Sequence, residues 1–140
     1  TPLLMVAGGS GLAPMLAILN DGLATGVKRP VTLFFGARTQ ADLYAMDTIA
    51  ELARQWPRHF EFVPVLSQEP EGSAWQGLRG MVGDVLAAHL QAIQQLDSHA
   101  YLCGPPPMVD SIRALLLQRG VPSAHIHADR FTTQHDVVAA

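Results

Sequence analysis

Leu3-Leu4-Met5-Val6-Ala7-Gly8-Gly9-Ser10-Gly11-Leu12-Ala13-Pro14 is the stretch on which the fold turns. Its first five residues are all apolar and stop at two glycines, which reads as a short buried strand. The residues beyond the glycines have helical spacing. Leu12, Met15, Leu16, Leu19 and Leu23 fall on one face, and Gly26 ends the run. Pro14 suits the first turn of that helix, where its missing N–H is not needed. A strand that breaks on glycines and passes straight into a helix presents bare backbone N–H groups at the positive end of the helix. That arrangement suits a diphosphate. Gly9-x-Gly11 is half of the usual dinucleotide fingerprint, with Pro14 where the third glycine would stand. Taken alone, the same turn also fits a plain strand-to-helix connection.

Outward from this stretch the alternation repeats. Strands are expected at Val31–Phe35, Phe60–Leu66, His99–Cys103 and Ala124–Ala128. Helices are expected at Ala45–Trp56, broken by Pro57, at Val82–Leu96, and at Met108–Arg119, capped by Gly120. Ser67–Gly80 is rich in Gly, Ser, Glu and Pro and reads as a loop. The pattern predicts a three-layer α/β/α domain over residues 1–131, Rossmann-like, around a five-stranded parallel sheet of order 3-2-1-4-5. Residues 132–140 are expected to form a loose tail. In such sheets ligands bind beyond the carboxyl ends of the strands, where strand order reverses. That rule selects Gly8–Pro14 and Cys103–Pro107.

Composition narrows the classes. Nine Lys and Arg against twelve Asp and Glu give −3 over 140 residues, with no basic run to neutralise a nucleic acid. Apolar residues make up 49% and charged residues 15%, which excludes a disordered chain or a coiled coil. Cys103 is the only cysteine, so disulfide scaffolds and multi-cysteine metal sites are excluded. His125 and His127 alternate on the last strand, but no third ligand has sensible spacing, and no metal site is expected. No apolar run approaches the roughly 18–20 residues of a membrane span. A cytoplasmic location is expected. The chain opens directly on a strand, as a piece of a longer protein would.

Strand two ends Phe35-Gly36-Ala37-Arg38-Thr39, with no acid where the usual fingerprint holds a ribose. Arg38 can stack on adenine, pair with an adenosine phosphate, or point into water. Tyr101-Leu102-Cys103-Gly104-Pro105-Pro106-Pro107-Met108 closes strand four on three prolines, a rigid turn. Cys103 faces the crevice there or is simply a small buried hydrophobe. His99 is roughly 13 Å away along the strand, so Cys103 has no assignable base.

Gly8–Pro14 and Cys103-Gly104-Pro105-Pro106, in this order, resemble the NAD(P)-binding domain of the ferredoxin–NADP reductase superfamily over essentially the whole chain. Gly36-Ala37-Arg38-Thr39 with Asp42-Leu43-Tyr44 is similar to the reductase components of bacterial multicomponent oxygenases. The resemblance implies that Gly8, Gly9, Ser10, Gly11, Leu12, Ala13 and Pro14 hold the diphosphate. It places Arg38 and Thr39 by the adenosine, with Ser67 and Gln68 lining that side. Cys103 and Gly104 fall at the nicotinamide, Cys103 as the catalytic residue that places the reactive carbon. Pro105, Pro106 and Met108 would shape the wall. Asp129, where the family commonly has Glu, and Phe131 would lie near the flavin. It further implies NAD(P)H as coenzyme, and FAD or FMN on a separate N-terminal domain. An iron–sulphur domain, an oxygenase or a ferredoxin would be a partner. NADH is favoured, because Ser67-Gln68-Glu69-Pro70-Glu71 offers acids and no base before Arg79. No Arg-x-Tyr-Ser/Thr flavin motif occurs, so this chain is not expected to hold flavin tightly. The competing reading is a non-catalytic nucleotide-binding regulatory module.

Overall fold

Residue alternation along the strands builds the fold. In the computed structural model, residues 3–8, 12–26, 29–40, 43–70, 72–73, 75, 77–92 and 99–130 are described. The strands are β1 (Leu3–Gly8), β2 (Val31–Ala37), β3 (Phe60–Leu66), β4 (Leu78–Arg79), β5 (His99–Gly104) and β6 (Ile126–Arg130). The helices are α1 (Leu12–Thr25), α2 (Met46–Gln55), α3 (Val82–Ala92) and α4 (Pro106–Gln118). The sheet runs β4-β3-β2-β1-β5-β6, and every pairing is parallel.

The expectation of five strands is corrected to six. The sixth, β4, is two residues inside the segment read as a loop, where it pairs Leu78 with Val65 and Arg79 with Leu66. Two residues carry no periodicity, so nothing in the pattern announces them. Without β4 the order is the expected one. The last strand also shifts. Pro122 leads into a single 3-10 turn at Ser123–His125, so β6 starts at Ile126 rather than Ala124. Helix α4 starts two residues earlier than expected, because Pro106 and Pro107 need no N–H acceptor in its first turn. Of the helix expected at Val82–Leu96, residues 82–92 are helical and residues 93–96 lie outside the described residues, as does the tail from residue 132.

Leu3, Met5 and Ala7 face one side of the sheet, packed with Leu12, Met15 and Leu19 of α1 and Ile49 and Leu52 of α2. Leu4 and Val6 face the other, with Val82 and Leu86 of α3 and Val109, Ile112 and Leu116 of α4. Central strands buried on both faces need continuous apolar runs, which is what Leu3–Ala7 and Leu33–Phe35 supply. Each such side chain contributes about 1.5–3 kcal/mol on burial. The consequence for function is positional. β1 lies between β2 and β5, with its crossovers departing in opposite directions, so the carboxyl ends of β1, β2 and β5 meet at one open crevice.

Candidate functional site: a crevice over the central strand ends

The crevice encloses about 710 Å³, a volume in the range of small-molecule sites. Gly8, Pro105 and Met108 form one end, and Arg38 and Ser67 form the other. Five residues singled out from the sequence therefore converge on it. Phe35, Gly36, Ala37, Tyr44, Gly80, Met81 and Val82 complete the lining. Gly36, Ala37 and Tyr44 belong to the stretch that carries the resemblance, without a role assigned from it, and Phe35, Gly80, Met81 and Val82 are marked by no motif; Gly36 has a visible reason. A Cβ there would stand 3.0 Å from both Cβ and Cγ1 of Val82, so glycine lets α3 approach the end of β2.

The β1–β5 end is built by backbone contact. A Cβ on Gly104 would lie 2.7 Å from Met108 Cε and 3.2 Å from both the N and the O of Gly8. A Cβ on Gly8 would lie 2.5 Å from Met108 Sδ. The two glycines let adjacent strand ends close on the Met108 thioether and leave bare backbone at the crevice floor. Leu12 is fully buried against the core, so of the first α1 turn its side chain packs rather than lines. Ala13 is exposed, and Pro14 and Pro106 are half-buried. The hydroxyl of Tyr44 is hydrogen-bonded to the backbone of Leu12 and Ala13 in that turn, and burial raises its pKa. Its ring stands edge-on to Phe35, with centroids 5.6 Å apart. Gly9, Ser10, Gly11 and Phe131 lie outside the described residues.

Cys103 and Asp129 do not line this crevice. They are register partners on β5 and β6 and face the α1 side, where a neighbouring groove of about 320 Å³ also takes in Pro14, Met15, Tyr101 and His127. Burial, and then the Asp129 carboxylate, push the Cys103 thiol up to about 11. It is therefore protonated near neutral pH and is not a nucleophile. Below it on the same face, imidazole and phenol rings stack. His99 lies 4.1 Å from His125 and 5.9 Å from His127, and Tyr101 lies 4.8 Å from His127. Burial, followed by the charges of His125, Arg29 and His127, lowers the His99 pKa. Among the described residues no group of three or more His, Cys, Asp or Glu is placed to hold a metal.

The β2–β3 end is built by hydrogen bonds that continue the ladder past the strands. Ser67 N–H donates to Ala37 O (2.9 Å) and Gln68 N–H to Arg38 O (2.7 Å). One step further a side chain takes over. The Glu69 carboxylate accepts from Gln40 N–H and from Gln40 Nε2, both at 2.8 Å. These bonds hold the Glu69 carboxyl below the usual carboxylate range, led by the Gln40 side chain. Arg79 gathers the loop from inside, donating to Glu69 O (2.8 Å), Pro70 O (3.1 Å), Trp75 O (2.9 Å) and Ser73 Oγ (3.3 Å). Thr39 is half-buried and Gln68 exposed, beside Arg38 and Ser67 but outside the lining.

Residues 5–114 match the sequence profile of the oxidoreductase NAD-binding domain. The electron transfer component of xylene/toluene monooxygenase from Pseudomonas putida is 45% identical over 126 residues, covering 90% of this chain and 35% of that protein. The reductase component of phenol 2-monooxygenase from a Pseudomonas species is 40% identical, covering 96% of this chain and 37% of that protein. Among solved structures, an Amycolatopsis cytochrome P450 reductase is 35% identical with a TM-score of 0.80, covering 94% of this chain and 38% of that one. The ferredoxin reductase in carbazole 1,9a-dioxygenase is 32% identical with a TM-score of 0.77, at the same coverages of 94% and 38%. The chain thus spans well under half of each relative.

Proposed function

The chain belongs to the family of oxidoreductase NAD-binding domains, with ferredoxin reductases as its structural neighbours, and from that premise we propose that the crevice positions NAD(P)H for hydride transfer to a flavin, FAD or FMN, carried outside these 140 residues. The observation that carries this reading is the crevice itself. It opens between the bare backbone of Gly8 and the residues Arg38 and Ser67, across the central strand ends where open parallel sheets bind ligands. The cradle at Gly8 and Gly104, which a Cβ would fill, fits a group that must approach the backbone closely.

When bound, the nicotinamide supplies the hydride, and the flavin passes electrons to an acceptor such as an oxygenase or ferredoxin. The chain's own share is orientation. Gly8 and the first turn of α1 hold the diphosphate, with Gly9, Ser10 and Gly11. Arg38, Thr39, Ser67 and Gln68 flank the adenosine. Pro105, Pro106 and Met108 form a rigid wall beside the reacting end. Cys103, kept as a neutral thiol, and Asp129 across the strand pair line the groove beyond that wall, toward the flavin, and Phe131 follows Asp129 by two residues in the sequence. A single thiol with no partner for a disulfide fits a cytoplasmic protein.

Calorimetric titration of the chain with NADH, NADPH and ADP-ribose tests the reading. Binding of NADH and ADP-ribose is expected. No heat from any of the three at millimolar concentration would overturn it. If NADH binds and a supplied flavin domain yields no NADH oxidation, the regulatory-module reading takes its place.

A further inference from the structure

We propose that Glu69 is a built-in anion. Its carboxylate occupies the donors that a 2′-phosphate on the coenzyme's adenosine would use, and so makes the crevice select the unphosphorylated dinucleotide. This rests on the reading of the crevice as a coenzyme site and specifies which residue discriminates there.

Three observations carry it. First, the carboxylate takes both donors of one residue, the backbone N–H and the side-chain amide of Gln40, each at 2.8 Å. A backbone N–H beside an amide N–H, with the charge of Arg79 acting on the same carboxylate, is a donor set that suits a phosphate oxygen. Second, the place is right. Gln40 is two residues past Arg38 and Glu69 two past Ser67, and Arg38 and Ser67 line the adenosine end of the crevice. Third, the carboxylate is held and not merely nearby. Arg79 fixes the loop through the carbonyls of Glu69, Pro70 and Trp75, so Glu69 does not swing away freely. A phosphorylated adenosine would meet a fixed negative charge and find its donors taken. The arrangement differs from general repulsion by an acidic loop, because it predicts that removing the carboxylate leaves a working anion site behind.

The test is calorimetry on the chain with ADP-ribose and 2′-phospho-ADP-ribose, which differ only in that phosphate. Glu69→Ala is expected to tighten 2′-phospho-ADP-ribose about tenfold, with the gain shrinking as salt rises. ADP-ribose affinity should stay within about twofold, since no contact of the shared part is altered. Glu69→Gln, which keeps the shape and drops the charge, should give a smaller gain. Adding Gln40→Ala to Glu69→Ala should cut the gain by about threefold or more, because one freed donor is gone. An unchanged affinity of Glu69→Ala for the phosphorylated ligand would overturn the proposal. So would a gain that survives Gln40→Ala intact, which would mean plain repulsion. Equal loss of both ligands in Glu69→Ala and Glu69→Gln would reduce Glu69 to a structural residue. Failure of the wild-type chain to bind ADP-ribose at all would instead overturn the coenzyme reading, and this proposal with it.

Discussion

The two ends of the crevice are made in opposite ways. At the β1–β5 end, two glycines and a thioether touch, and the backbone of Gly8 and Gly104 leaves no room for a single added carbon. At the β2–β3 end, two loops are joined by directional bonds through Gln40, Glu69 and Arg79, all at the partly exposed surface. The contact-built end tolerates no variation in size, whereas the bonded end can be rewired residue by residue. That division suits a site where the reacting end of a ligand is common to many proteins and the far end distinguishes them.

The largest effect is expected at Gly104. Gly104→Ala sets its new carbon against backbone atoms of Gly8, which cannot rotate away, and should cost about 1–3 kcal/mol in urea unfolding. Gly8→Ala meets chiefly the flexible Met108 side chain, should cost less, and should be relieved by Met108→Ala. Equal costs, or no relief, would mean that close backbone contact does not set the limit at the β1–β5 end. At the bonded end, Arg79→Ala removes donors to three carbonyls and a hydroxyl. The expected loss is about 1 kcal/mol, because neighbouring water replaces much of what is lost. The clearer sign would be faster amide exchange at Gln68 and Gly80, while β1 amides keep their protection. Exchange that speeds up uniformly would deny the loop its separate status.

The smallest effects are in pH. Cys103 has a raised folded pKa, so its contribution to stability is full below about 9 and is lost as pH climbs toward about 11. His99 has a lowered folded pKa, so its contribution is full above its ordinary value of 6.5 and is lost as pH falls below it. Both residues are on β5 and slope in opposite directions. Cys103→Ala should flatten only the alkaline limb of a stability–pH curve, and His99→Gln only the acid limb. A single variant that flattened both would show that the two groups are not independent.

How much of this was legible depends on the distance a signal had to travel along the chain. The strand–glycine–helix opening and the Cys103–Pro107 turn are local patterns, so the two faces of the sheet, its order and the crevice position could be read directly. The Gln40–Glu69 link joins residues 29 apart, and neither residue is unusual where it stands. Ser67–Gly80 reads as a loop because it is rich in Gly, Ser, Glu and Pro. Its internal order comes from one guanidinium collecting carbonyls, and composition does not encode that. Gly36, Tyr44 and Met81 enter the lining only because α3 and the segment after β2 fold toward it. For Cys103 the sequence left a place facing the crevice and a small buried hydrophobe both open; strand alternation buries it on the α1 face, with Asp129 as its register partner.

The two-residue strand β4 has a further effect, on self-association. A sheet's outer strand exposes unpaired N–H and C=O groups on which a second molecule can grow the sheet. Here β3 would be that strand, but β4 covers Val65 and Leu66, and Pro64, next in line, has no N–H to offer. The part of β3 that a neighbour could extend is thereby shortened to residues 60–63. Because Arg79 is both half of β4 and the anchor of the loop, the residue that organises the selective end of the crevice also blunts the edge of the sheet.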